Sequence, residues 1–199
     1  SFQEAIEDDS IGKLVMELTG ILHPLLVRMR GDPTIIIAAV NGAAAGGGLG
    51  LALACDARIA SNEACLVSAF FRLGLSPDGG STWLLPRLVG VQRARTFLFN
   101  DETWDATTAF EAGALDEVVD SEELLPRAKQ LAMEWGKWAH HSKKSTKQLL
   151  DSQSSTFFET QLEFERMLIT QSSIAPEFME GVKAFQEKRS PDFSNYSEE

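Results

Sequence analysis

Apolar residues recur every three or four positions from Ile11 through Leu14, Val15, Leu18, Ile21, Leu22, Leu25 and Leu26 to Met29. That is the period of an amphipathic helix. Gly31-Asp32-Pro33 stops it, and Arg28 and Arg30 suit its negative end. Thr34 to Val40 reads TIIIAAV, a continuous β-branched run that predicts a strand covered on both faces. Asn41-Gly42 turns the chain, and residues 43–55 read as strand, glycine loop and helix. Short strands are predicted at Asp56 to Ala60 and Ala64 to Ser68, and SPDGG at 76–80 breaks the chain. Helices are predicted at 81–89, 91–99, 105–112 (stopped by Gly113) and 121–138, with a brief strand at Val118-Val119. From Ser142 onward the pattern is helical throughout. Phe157, Phe158, Leu162, Met167 and Leu168 form one stripe, and Phe178, Val182 and Phe185 another. Such stripes suit a lid, an oligomer interface or plain core. The tail from Ser190 is polar and expected to be loose.

Composition narrows the function classes. The 199 residues carry 18 basic and 29 acidic side chains, a net charge of −11. That disfavours nonspecific binding to nucleic acid or to an anionic membrane. No stretch of 18 apolar residues predicts a membrane span. Two cysteines, Cys55 and Cys65, make no disulfide framework and suit a reducing, cytoplasmic setting. Metal binding has little support. His140 and His141 are adjacent, so on a helix they point about 100° apart, and the cysteines have no nearby histidine pair. Lys143, Lys144 and Lys147 read as a solvated face, and Trp135 and Trp138 as packing residues. His23, beside Pro24, is assigned no role.

Two features carry candidate chemistry. Gly46-Gly47-Gly48 follows a strand and opens a helix, where backbone amides lack internal acceptors and point outward at the positive dipole end. A developing oxyanion would be stabilised there. Spacing alone equally allows tight strand–helix packing. Leu51 stands where a dinucleotide fingerprint needs its third glycine; no P-loop lysine follows, and no G-x-S-x-G occurs. Asp78 precedes a helix and suits an N-cap. It also suits a carboxylate base among Leu73, Leu75, Trp83 and Leu84.

In order along the chain, PTIIIAAVNGAAAGGGLGLALACDARIAS, LGLSPDGGSTWLLPRLVG, AFEAGALDEVV and PEFMEGVKAFQEKRSPDF closely resemble the crotonase (enoyl-CoA hydratase/isomerase) superfamily. The resemblance implies an α/β spiral of ββα units over 1–139, with early strands lying upstream of residue 1. It also implies a helical oligomerisation region over 140–199 that builds homotrimers or hexamers. Acyl-CoA thioesters are the implied substrates, with coenzyme A as part of the substrate and no further cofactor. One oxyanion amide maps to Gly47; the second maps upstream of Ser1, as would a histidine partner for the aspartate. The two glutamates of typical hydratases fall at Gly50 and Phe70, so neither carboxylate is present. Asp78 matches an acidic position of isomerases, PDGGSTWLLPR being closest to the ring-epoxide isomerase of phenylacetate breakdown. A dehalogenase branch has a nucleophilic aspartate at the same place. The resemblance therefore implies an isomerase in which Asp78 shuttles a proton. Ala45, Gly46, Phe70, Leu75 and Trp83 line the thioester and acyl group, and Phe185 and Lys188 meet the coenzyme A nucleotide. A hydratase or lyase with a different base, the dehalogenase, and a non-catalytic acyl-CoA binder are the alternatives.

Overall fold

The structure, a computed structural model, describes residues 4, 7, 9–153 and 155–196. The chain divides into two compact units, one of residues up to Arg30 with 36–129, the other of 31–35 with 130–199.

The first unit begins with helix α1 (Ile11–Gly31) and strands β1 (Ile37–Val40) and β2 (Ala43–Ala45). Helix α2 (Gly47–Ala54) follows, then β3 (Ala57–Ser61), β4 (Cys65–Val67), α3 (Ser81–Val89) and α4 (Val91–Phe99). Strand β5 (Thr103–Asp105), α5 (Ala106–Ala112) and β6 (Glu117–Val119) complete it. Consecutive strands enter different sheets. β1, β3 and β6 form one parallel sheet, with Ile37 opposite Ala57 and Ile59 opposite Glu117. β2 lies parallel to β4, and β5 runs antiparallel to β4. Asn41-Gly42 is too short to do more than redirect the chain from one sheet to the other, and a helix must then carry it back. Strand, strand, helix is thus the repeating step, and the fold is the mixed α/β spiral expected.

Leu49 and Leu53 on α2, Ile59 on β3, Leu66 on β4, Leu85 on α3 and Phe97 on α4 are almost fully buried. Burying each such side chain is worth roughly 1.5–3 kcal/mol. Phe97 and Trp104 pack with ring centroids 4.5 Å apart. The buried Arg58 of β3 is paired with Asp116 at 2.7 Å, and its Nη1 donates to the Cys55 carbonyl at 2.9 Å.

Several expectations need correction. The strand covered on both faces is β3, the central strand of its sheet, which is buried along its whole length; β1 is only half-buried and begins at Ile37, not Thr34. Strand β5 was invisible because Thr103-Trp104-Asp105 is too short for an alternation to register. The helix expected at 121–138 is α6 (Leu124–Gly136), starting after a turn at 121–123.

The helical region is three helices rather than one continuous run. These are α7 (His140–Ser152), α8 (Phe158–Ser173) and α9 (Pro176–Glu187). Phe157 and Phe158 are 84% and 72% exposed within the chain, whereas Leu168 is buried, so that stripe is not plain core. Helix α9 ends at Lys188, which adopts φ +54°. Residues 197–199 of the polar tail lie outside the described residues. No described helix is long and apolar enough to cross a membrane.

A clamp closes the end of α9. Glu180 accepts from Arg189 Nη1 at 2.6 Å and Nη2 at 2.9 Å, and from the Asp192 amide at 2.9 Å. The Arg189 donors, then the amide, hold the Glu180 carboxyl down at about 2, and Glu180 and Glu187 hold the guanidinium above its ordinary value. Because the folded value is depressed, the clamp's stabilisation is complete above the ordinary carboxylate value near 4.5 and is lost as pH falls toward about 2. Glu180→Gln should lower the melting temperature at pH 7, and the gap from wild type should narrow steadily below pH 4.5. Thermal melts across pH check this; a gap that stays constant down to pH 3 contradicts it.

Candidate functional site

The glycine turn is built by backbone alone. Gly46 adopts φ +52° and ψ −120°, which side-chain-bearing residues rarely reach, and it is the N-cap of α2. Its carbonyl accepts the Gly50 amide at 3.2 Å, so the helix begins there. Gly47 is the first helical residue; its N–H has no acceptor within the helix and lies at the positive dipole end. Phe70, 5% exposed, lies over Gly46, its Cε1 standing 3.9 Å from where a Cβ on Gly46 would be. Helix α1 crosses the turn, with Leu22 Cδ2 3.3 Å from the position of a Cβ on Gly47.

The segment 76–80 sits directly on α2. A Cβ on Gly50 would stand 2.1 Å from the Gly79 carbonyl oxygen and 2.8 Å from its Cα, so no side chain fits there. From the other side, a Cβ on Gly79 would meet Gly50 Cα at 3.3 Å and Gly47 Cα at 3.5 Å. Gly79 and Gly80 have φ of +61° and +72°. This tight left-handed turn sets Asp78, the residue before it, beside the first turn of α2.

Asp78 does not cap α3. The N-cap is Gly80, with no side-chain cap bond, and Asp78 contributes only its carbonyl, which accepts from the Ser81 amide at 3.2 Å and hydroxyl at 2.8 Å. Its carboxylate turns the other way. Asp78 Oδ1 lies 2.6 Å from His23 Nε2, with the two side chains 36% and 52% exposed. A histidine partner for Asp78 is therefore present within this chain, on α1. Sequence reading missed it because residues 23 and 78 lie 55 apart. No spacing rule joins them; only the packing of α1 does.

The remaining expected residues are scattered in kind. Trp83 carries the guanidinium of Arg87 at 3.4 Å and that of Arg30 at 5.0 Å from its ring centroid. Ala45 ends β2, and Leu75 is half-exposed beyond a short helical turn at Phe71–Leu73. That turn is fastened by Arg72, whose Nε meets Asp101 Oδ2 at 2.8 Å. Burial pushes the Asp101 carboxyl up, but the Ser68 hydroxyl and the Arg72 guanidinium outweigh it and hold it below the usual range. Phe185 and Lys188 belong to the second unit. There the largely exposed Phe185 helps line a cavity of about 520 Å³ with Phe178, Val182, Phe193 and the buried Glu177.

Comparison with known proteins matches this chain to one family over most of its length. Residues 13–196 fit the family model described as enoyl-CoA hydratase/isomerase. The 1,2-epoxyphenylacetyl-CoA isomerase of Escherichia coli (strain K12) is 39% identical over 181 residues, covering 91% of this chain and 69% of that protein. The 4-chlorobenzoyl coenzyme A dehalogenase-1 of an Arthrobacter species is 32% identical over 84% of this chain and 59% of that protein. The crystal structure of an enoyl-CoA hydratase from Polaromonas sp. JS666 superposes with a TM-score of 0.87 at 32% identity, covering 96% of this chain and 75% of that one.

The Gly50–Gly79 contact leaves no room for one methyl group. Gly50→Ala should therefore cost about 1–3 kcal/mol by overpacking, measured by urea unfolding. An unchanged midpoint would mean that the 78–80 turn yields freely.

Proposed function

Because this chain belongs to the enoyl-CoA hydratase/isomerase family, we propose that it is an acyl-CoA isomerase in which Asp78 moves a proton between two carbons of the acyl chain. The observation that carries this reading is the docking of the Asp78 turn on the glycine turn through Gly79. The thioester oxygen lies at the Gly47 N–H, whose dipole stabilises the negative charge that develops when a carbon-bound proton leaves. Asp78 takes that proton, the electron pair spreads onto the thioester oxygen, and the same proton returns to another carbon. One C–H bond breaks, one forms, and no oxidant or cofactor beyond the coenzyme A of the substrate is needed.

Hydration is disfavoured on the same geometry. Water addition is easier with two acid–base groups than with one. Of the two places where the resemblance expects glutamates, one is Phe70, buried and apolar, and the other is Gly50, closed by the Gly79 carbonyl. Phe70, Leu75 and Trp83 on this reading face the acyl group and Ala45 and Gly46 the thioester, while Phe185 and Lys188 face the nucleotide of a coenzyme A bound to a neighbouring subunit. Assembly into trimers or hexamers belongs to the same proposal.

The His23–Asp78 contact favours a second reading. A carboxylate paired with an imidazole can act as a nucleophile on an aromatic acyl-CoA, with the imidazole activating the water that releases the product. The relative named as a dehalogenase supports keeping it in view.

Asp78→Asn should lower the turnover of 3-enoyl-CoA to 2-enoyl-CoA by about 10²–10⁴-fold. Gly47→Pro removes the first amide of α2, its ring displacing Leu22 Cδ2 by a small shift of a flexible side chain, and should cost about 10²–10³-fold. Wild-type turnover in either variant would remove that residue from the chemistry. Chloride release from 4-chlorobenzoyl-CoA would replace the isomerase reading with the second one, and acyl-CoA binding without turnover would replace both with a binding protein.

A further inference from the structure

We infer that His23 is the positioning residue for Asp78, holding one carboxylate oxygen so that the other faces the acyl chain. The inference rests on the isomerase reading and adds a residue to it.

Three observations converge on α1. Leu22 touches the first turn of α2 at Gly47, and the next residue, His23, meets Asp78 Oδ1 at 2.6 Å. Successive helical residues point about 100° apart, so one turn of α1 packs at Gly47 through Leu22 and meets the carboxylate through His23. The chain has three histidines, and the other two, His140 and His141, lie in the second unit. Finally, Asp78 is not held by the helix that follows it, since α3 has no side-chain cap. Without His23, two freely rotating bonds would leave its carboxylate unoriented on a surface 36% exposed.

A shuttle needs one oxygen that faces both carbons in turn, and a carboxylate that spins between its two oxygens loses that register. With Oδ1 accepting from Nε2–H, Oδ2 takes the proton from the first carbon and returns it to the second. The imidazole keeps its own proton throughout, so it orients Asp78 and exchanges nothing with the substrate.

The test uses full-length protein and 3-enoyl-CoA, with Asp78→Asn measured in parallel. His23→Leu keeps bulk and removes the donor; His23→Gln restores an N–H at similar reach. The expected result is a kcat lower by 10-fold or more in His23→Leu, with KM within threefold of wild type and unchanged melting behaviour. His23→Gln should recover most of the loss. Equal kcat in His23→Leu and wild type, while Asp78→Asn is inactive, overturns the positioning role and leaves the isomerase reading standing. A rise in KM alone, or failure of His23→Gln to recover activity in a folded protein, also overturns it. Unchanged turnover in Asp78→Asn, or none in wild type, overturns the isomerase reading and this inference with it.

Discussion

Gly79 lies so close to Gly50 that a Cβ at residue 50 would stand 2.1 Å from the Gly79 oxygen, and most of the site follows from that approach. The approach leaves no room for a side chain at residue 50, and Gly79 holds φ +61°, which side-chain-bearing residues rarely adopt. The contact fixes the height of the 78–80 turn above α2, and with it the position of Asp78. The first turn of α2 carries this docking, while Leu49 and Leu53 secure the helix to the core.

Helix α1 is the second constraint. Its role cannot be mainly energetic at the site. An ion pair or hydrogen bond between side chains this exposed is worth at most about 1 kcal/mol, less than the roughly 1.5–3 kcal/mol from burying a single leucine. Leu26 is buried on the same helix and supplies the stronger hold. The worth of the His23–Asp78 contact lies in orientation: packing elsewhere on α1 sets the helix, and the helix sets the imidazole.

Much of the fold was legible in the sequence, and the reasons differ by element. The period of α1 and the glycine punctuation between β2 and α2 gave boundaries close to those found, because both reflect local rules. Strand β5 was not legible, since three residues carry no pattern, and β1 was misjudged because its run TIIIAAV looks the same whether or not both faces are covered. At the site, Gly46, Gly47 and Asp78 stood out by type and place. Two things were hidden. The cap at Asp78 was the natural reading of an acidic residue before a helix, yet the left-handed Gly79-Gly80 pair turns its side chain away. His23 was hidden because its partner is distant in sequence and the contact is a tertiary one.

The absence of a carboxylate at residue 50 and the seating of the 78–80 turn against α2 are a single structural choice. A glutamate at residue 50 needs room that the Gly79 carbonyl occupies; a 78–80 turn seated this low needs residue 50 to have no side chain. The two arrangements exclude one another sterically, whatever the reaction. Moving between them requires the turn to lift and the glycine to be replaced together, since either change alone leaves a clash or a void. A carboxylate on the 78–80 side lies against α1, at His23, rather than on α2 itself.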